Sequence, residues 1–122
     1  MTRKEMTGIR DLEISGWIRE MLPDSKTGFM VTDLDFIIWN YKTKKLMLVE
    51  VKTRKAKMKT WQKKIFEILD KIINSGAEKA GVKYYGFHCI RFEGTFFTDG
   101  RCMFDNNVVS ENELISILSM VE

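Results

Sequence analysis

Thr32-Asp33-Leu34-Asp35-Phe36-Ile37-Ile38-Trp39, followed after a short polar break by Leu46-Met47-Leu48-Val49-Glu50-Val51-Lys52, is the stretch whose reading decides the fold. Both runs are rich in the β-branched and aromatic residues that favour strands. The intervening Tyr41-Lys42-Thr43-Lys44 is polar and predicts a hairpin turn. Strand side chains alternate faces, so Asp33, Asp35 and Ile37 point one way while Leu34, Phe36 and Ile38 point the other. Glu50 and Lys52 likewise share a face opposite Val49 and Val51. If the hairpin is symmetric about Lys42-Thr43, paired residue numbers sum to 85. Asp35 then lies across from Glu50 and Asp33 across from Lys52, with directly opposed Cβ atoms roughly 4.5–5.5 Å apart.

Charges in such a setting need a physical reason. A charge buried in a sheet costs several kcal/mol unless it is paired or coordinates a metal. Two carboxylates facing each other across a ladder repel, and a divalent cation reverses the sign of that interaction. Mg²⁺ is commonly held by one or two carboxylates together with other oxygen ligands and waters. Lys52, two residues on and on the same face as Glu50, adds a fixed positive charge for a water or a phosphate oxygen. Together these are the parts of a phosphoryl-transfer site.

The charge pattern agrees. Lys42 to Lys64 contains ten basic residues and one acid, Glu50, a net of +9, whereas the remainder holds ten basic and sixteen acidic residues, a net of −6. Such polarisation suits a polyanion, a nucleic acid above all, although lysines of this kind also serve as a plain solvated loop. With 122 residues, 44% of them hydrophobic, the chain has the length of one ordinary domain with its own core. The polar segment Met1 to Arg10 lacks the apolar core of a signal peptide, and no apolar run is long enough for a bilayer. Cys89 and Cys102 fit no zinc spacing and read as free thiols of a cytoplasmic protein.

Around the hairpin, Ile9, Leu12, Ile14, Trp17, Ile18, Met21 and Leu22 predict an amphipathic helix over Gly8 to Leu22, with Pro23 just beyond. Phe29 to Asn40 suits strand, either one long bent strand or a short one before the Asp33/Asp35 strand. Thr60 is the expected N-cap of a second helix whose buried stripe is Trp61, Ile65, Ile68, Leu69 and Ile72 and whose end is Gly76. Val82 to Phe92 reads as a strand and Arg101 to Val109 as a small hairpin turning at Asp105-Asn106-Asn107. Ser110 with Glu113 forms a capping box for a last helix carrying Leu114, Ile115, Leu118 and Val121. The order predicts a mixed α/β sandwich around one sheet.

Asp35 before an apolar strand, a hairpin, Glu50-Val51-Lys52-Thr53-Arg54 ending the next strand, and a following helix with Trp61-Gln62 in its first turn resemble the PD-(D/E)-x-K, restriction-endonuclease-like nuclease superfamily. The closest likeness is to its small phage and archaeal members. The resemblance spans about Ile9 to Phe92 and implies an αβββαβ core, a central mixed sheet flanked by helices, with the hairpin and helix of residues 93–122 as an appendage to a single nuclease domain. It implies a Mg²⁺- or Mn²⁺-dependent DNA endonuclease that hydrolyses phosphodiester bonds with a metal-activated water. Asp35, Glu50 and the Val51 carbonyl would hold the metal, Lys52 would position or activate the water, and Gln62 would support Lys52 or the substrate phosphate. Glu13, on the first helix, and Asp33 are further candidate ligands. One departure is the short span from Pro23 to Asp33, which leaves little room for the strand the family carries before the aspartate.

Each residue also has a plainer role to weigh. A lone E-x-K triplet on a surface strand is a solvated face, and its strength here comes from apolar neighbours and the acid opposite. Asp33 could serve only as a partner to Lys52, Glu13 as an exposed helix acid, and Gln62 as a cap of its own helix. His88, beside Cys89 in an apolar strand, reads as a satisfied core residue. The three tryptophans read as core, with Trp61 as a candidate for stacking on a base. Arg54, Lys55, Lys57, Lys59 and Lys63 would grip DNA phosphates without reading sequence. A homodimer would widen the footprint of so small a module, though no sequence feature demands one. The rival functions are a nucleic-acid-binding module on the same fold that no longer cuts, and a basic domain that binds an acidic protein or membrane surface.

Overall fold

In the computed structural model, residues 9–121 are described, with side chains from residue 13 onward. The elements in chain order are α1 (Ile9–Met21), β1 (Phe36–Asn40), β2 (Lys45–Thr53), α2 (Thr60–Gly76), β3 (Lys83–Phe92), β4 (Cys102–Phe104), β5 (Asn107–Val109) and α3 (Glu111–Leu118), with a single 3₁₀ turn at Ser25–Thr27. The chain divides after Thr32 into two compact units. The first holds α1 and the 3₁₀ turn, and the second holds a five-stranded mixed sheet with α2 and α3.

The hairpin adopts the register expected from its symmetry, Phe36 opposite Val49 through Asn40 opposite Lys45. Asn40 fixes the turn: its Oδ1 accepts from the Lys42 and Thr43 amides, and its carbonyl accepts from the Lys44 amide. Lys44 takes the left-handed conformation that closes the loop. Pairing stops at Phe36 because Asp35 turns its own side chain onto the Val51 amide, 2.7 Å away, in place of a ladder bond. The strand expected over Phe29 to Asp35 is therefore absent. Phe29, Met30 and Val31 are exposed and carry no regular structure, and β1 forms the sheet's edge. Asp33 lies upstream of the paired residues, so the ladder does not reach it and does not set it across from Lys52.

From that edge the strands follow chain order, β1-β2-β3-β4-β5, with β2 and β3 parallel and every other pair antiparallel. The parallel step requires a crossover, and α2 supplies it. The C-terminal hairpin extends this sheet, and α3 covers one of its faces. Between Leu46 and Leu48 the β2–β3 register shifts by one residue. The bulge lies at Tyr85-Gly86, where Gly86 has φ +96°, and a Cβ there would come 3.1 Å from the His88 ring. The bulge leaves the Phe87 amide to Asp70 of α2, whose Oδ1 also accepts from the Tyr84 hydroxyl at 2.7 Å. That pair of bonds pins α2 over the sheet.

Alternation gives the two faces different contents. Met47, Val49, Ile90, Phe92 and Cys102 pack with Leu114 and Met120 as the apolar core. Lys45 is also buried, its ammonium bonded to the Met120 carbonyl at 2.8 Å and lying over the Tyr85 ring. It acts as a structural lysine and leaves the surface cluster. Ser110 and Glu113 form the expected capping box. On α3 and just beyond it, Leu114 is buried and Leu118 packs against the core as expected, but Ile115 and Val121 are exposed. Ile117 and Met120, which were not expected there, join the core instead.

On the other face α2 begins one residue earlier than expected, with Lys59 at the N-cap and Thr60 already helical, and no side chain caps it. Its inward positions are Gln62 and Phe66, the latter stacked on Phe87 with ring centroids 4.6 Å apart. The expected stripe is rotated: Trp61, Ile65 and Leu69 are half-buried, and Ile68 and Ile72 are exposed. Trp17 and Trp39 are exposed too and do not fill a core. Gly8, expected to open the first helix, and the side chains of Ile9 and Leu12 lie outside the described residues. Both cysteines are free thiols. Among the described residues, no helix is long and apolar enough to cross a membrane.

Candidate active site

Where the β1–β2 hairpin meets the start of α2, four side chains from three elements converge. Asp35 stands at the entrance to β1, Glu50 and Lys52 at alternate positions near the end of β2, and Gln62 in the first turn of α2. Glu50 is the centre, only 3% exposed. Its Oε1 accepts from the Asp35 amide at 3.1 Å and its Oε2 from Gln62 Nε2 at 3.1 Å. The Lys52 ammonium lies 3.5 Å from the same Oε2 and donates to Gln62 Oε1 at 3.3 Å. The Gln62 amide therefore bridges acid and base, which fixes the relative position of two charges that would otherwise move independently. Asp35 and Val51 complete the arrangement through the 2.7 Å bond between carboxylate and amide.

The electrostatics follow from burial. Glu50 is pushed up to about 7, chiefly by desolvation and then by the neighbouring Asp35 carboxyl; the Asp35 amide and Lys52 pull the other way without cancelling it. A buried acid that holds its proton up to neutrality is a group whose charge lacks sufficient compensation. A cation placed between Asp35 and Glu50 would supply that compensation. The donor set fits a hard divalent ion, since two carboxylates with a main-chain carbonyl such as that of Val51 leave room for water ligands. Among the described residues no group of three or more His, Cys, Asp or Glu side chains is placed to hold an ion, so the acidic part of the site is a pair.

The other expected site residues are distributed as follows. Asp33 is exposed just upstream of Asp35, and Glu13 is exposed on α1 in the first unit. Arg54, Lys55, Lys57 and Lys59 are exposed on the β2–α2 connection and Lys63 is exposed on α2, so this part of the basic cluster leaves the strand that carries Glu50 and Lys52. Arg54 takes a left-handed conformation and its amide donates to the Gly94 carbonyl at 2.7 Å. His88 is satisfied at both ring nitrogens, by Asp105 Oδ2 and the Tyr85 carbonyl.

Sequence reasoning missed the residues that flank the site on β3. Parallel pairing sets Cys89 beside Glu50 and Arg91 beside Lys52. The available signal was the alternation Phe87-Cys89-Arg91 in the strand after a β–α crossover. Burial pushes the Cys89 thiol up, which disfavours its thiolate form. No protein-family model matches the chain, and no curated protein matches it.

Proposed function

We propose that the chain is a divalent-metal-dependent nuclease that hydrolyses DNA phosphodiesters at the Asp35–Glu50–Lys52–Gln62 site, on a restriction-endonuclease-like core in which the strand before the aspartate is missing. One observation carries this reading: a nearly fully buried glutamate is held by a glutamine and a main-chain amide, with a second carboxylate and a lysine beside it. Structure alone gives no reason to desolvate that acid, because an apolar residue at position 50 would pack at lower cost. Asp35, Glu50 and the Val51 carbonyl would hold Mg²⁺ or Mn²⁺, and the ion would supply Lewis-acid charge against a phosphate oxygen.

The chain's own groups do the rest. Lys52 has its ammonium fixed by Gln62 and Glu50, so it presents a preorganised positive charge to the negative charge that develops on the phosphoryl oxygens. The same ammonium orients the attacking water. Gln62 holds Lys52 and Glu50 in one geometry through both reactant and transition state. The exposed Arg54, Lys55, Lys57, Lys59 and Lys63 neutralise flanking phosphates and confer affinity without sequence preference.

Plasmid and branched duplex DNA, incubated with the purified protein in Mg²⁺ or Mn²⁺ and in EDTA, test the proposal. Cleavage is expected with metal only, falling about 100-fold or more in Lys52→Ala and in Glu50→Gln. Metal-dependent cleavage that persists in both variants overturns it. Binding of every substrate without cleavage would leave a nucleic-acid-binding module in its place.

A further inference from the structure

One strand away from the acid pair, on the same face of the sheet, lies a cavity of about 380 Å³ whose walls come from the β2–α2 connection, α2, β3 and the β4–β5 turn. That volume falls within the range of small-molecule sites, roughly 300–1,000 Å³. Its contents are sorted by chemistry. Lys57, Lys63 and Arg91 contribute three cations from three different segments, while Met58, Phe87 and Cys89 give an apolar lining. Of the two carboxylates at its wall, Glu67 and Asp105, the second is already engaged by the Cys89 amide and His88.

Two further observations point to an anionic, partly apolar ligand. Arg91 Nε is buried and has no hydrogen-bond partner, and it belongs to the one cation that the strand itself holds in place. A desolvated guanidinium N–H without an acceptor is unfavourable until an acceptor arrives. The far wall is rigid: Asp105 and Asn106 are both left-handed in the β4–β5 turn, and Asp105 is tied to Cys89 through its side chain and through its amide, which donates to the Cys89 carbonyl. The cavity is therefore a preformed recess beside the Glu50 strand, at a strand spacing of roughly 4.8 Å.

We infer that this recess binds one nucleotide unit of the strand that carries the scissile phosphate, with the phosphate on Arg91, Lys57 and Lys63 and the base against Met58 and Phe87. The inference rests on the phosphodiester reading of the neighbouring site for its biological context, but the recess makes its own prediction. A base needs an apolar surface to cover it, and a phosphate needs the cations and the unsatisfied donor. Only a ligand with both parts uses the whole recess. Arg91 is a binding and positioning residue here and not a member of the hydrolytic group.

Isothermal titration of the full chain in EDTA with deoxythymidine monophosphate, thymidine and inorganic phosphate separates the contributions without relying on cleavage. The monophosphate is expected to bind at least about tenfold more tightly than either thymidine or phosphate. Its affinity is expected to fall about tenfold in Arg91→Gln and several-fold in the surface variants Lys57→Ala and Lys63→Ala, which remain informative if Arg91→Gln does not fold. Phosphate binding as tightly as the nucleotide, no binding of the nucleotide, or affinity unchanged in all three variants would each overturn the inference. Nucleotide binding that persists in a protein lacking metal-dependent cleavage would remove the nuclease reading and leave the recess. Metal-dependent cleavage without nucleotide binding would do the reverse.

Discussion

Along β2, Met47, Val49 and Val51 leave the backbone for one face of the sheet while Leu48, Glu50 and Lys52 leave it for the other. The first set joins Ile90, Phe92, Cys102, Leu114 and Met120 in an apolar core under α3. The second meets Gln62 and Phe66 of α2, and two of its three members are charged. The two faces share one backbone and one set of ladder bonds, so their difference is entirely one of side chains. The apolar face adds stability through burial and close packing. The polar face gives up part of that stability to hold a desolvated carboxylate in a fixed geometry, the pattern expected where a site is built into a sheet. Substitutions on the two faces should therefore have opposite signatures: loss of stability without loss of chemistry on one, and loss of chemistry with gain of stability on the other.

The largest effect is expected under α3. Leu114→Ala removes a side chain that is 6% exposed from the centre of the apolar cluster. Truncations of this kind cost roughly 2–5 kcal/mol, because the surroundings do not collapse fully into the space left. Urea unfolding should show that loss, while on the proposed nuclease reading the rate of metal-dependent cleavage per folded molecule stays at the wild-type value. A cleavage defect in the folded fraction would break the separation of the two faces.

Glu50 gives the next effect, and its sign is opposite. Its folded-state pKa is raised to about 7 from an ordinary 4.5, so between those values the native protein binds more protons than the unfolded chain. Stability then falls as pH rises through that window and levels off above 7, the reverse of a salt-bridged carboxylate. The contribution lost is about 3 kcal/mol, from the size of the shift. Glu50→Gln should flatten this part of the pH–stability curve in metal-free protein and be more stable than wild type at pH 8. An ion that binds the carboxylate form should offset the loss, so Mg²⁺ should raise the melting temperature of the wild type more at pH 8 than at pH 5.5. A wild-type curve that rises between pH 5 and 7 in step with that of Glu50→Gln would mean that Glu50 is not desolvated and that the polar face carries no such cost.

How much of this was legible in the sequence depends on the range of the interactions. The hairpin was legible because alternation and a symmetric polar turn are both local, and together they placed Asp35 against Glu50. The bond between Gln62 and Lys52 was implied by the resemblance, but the second bond of the bridge, from Gln62 to Glu50, was not legible, since that depends on how far α2 rotates over the sheet. Asp70 sets that rotation by bonding to the Phe87 amide that the Gly86 bulge releases. A bulge of one residue leaves little trace in hydrophobic periodicity. The rotation also explains the inversion on α2, where Phe66 is buried and Ile68 and Ile72 are exposed. Phe29 to Val31 look like strand by composition, yet the carboxylate of Asp35 ends the ladder before them. Lys45 looked like one more surface cation because its partner, the Met120 carbonyl, lies 75 residues away in sequence.

The smallest effect tests the same separation from a distance. Ser110 caps α3: its hydroxyl accepts from the Glu113 amide at 3.1 Å, and the Glu113 carboxylate accepts from the Ser110 amide at 2.9 Å. Both groups are exposed, so losing the hydroxyl opens no cavity and strands no buried charge. It leaves the first turn of α3 with an amide that water must satisfy, at a cost of about 1 kcal/mol. Ser110→Ala should lower the urea midpoint slightly with an unchanged slope, because the surface exposed on unfolding is the same. The Glu50 titration, followed by carbon-detected NMR of the side-chain carboxyl, should stay at its wild-type midpoint. Glu50 answers to Asp35, Gln62 and Lys52 on the far side of β2, and α3 reaches none of them. A displaced midpoint would show that the cap at the start of α3 is felt through the sheet, and the two faces would then have to be treated as one cooperative unit.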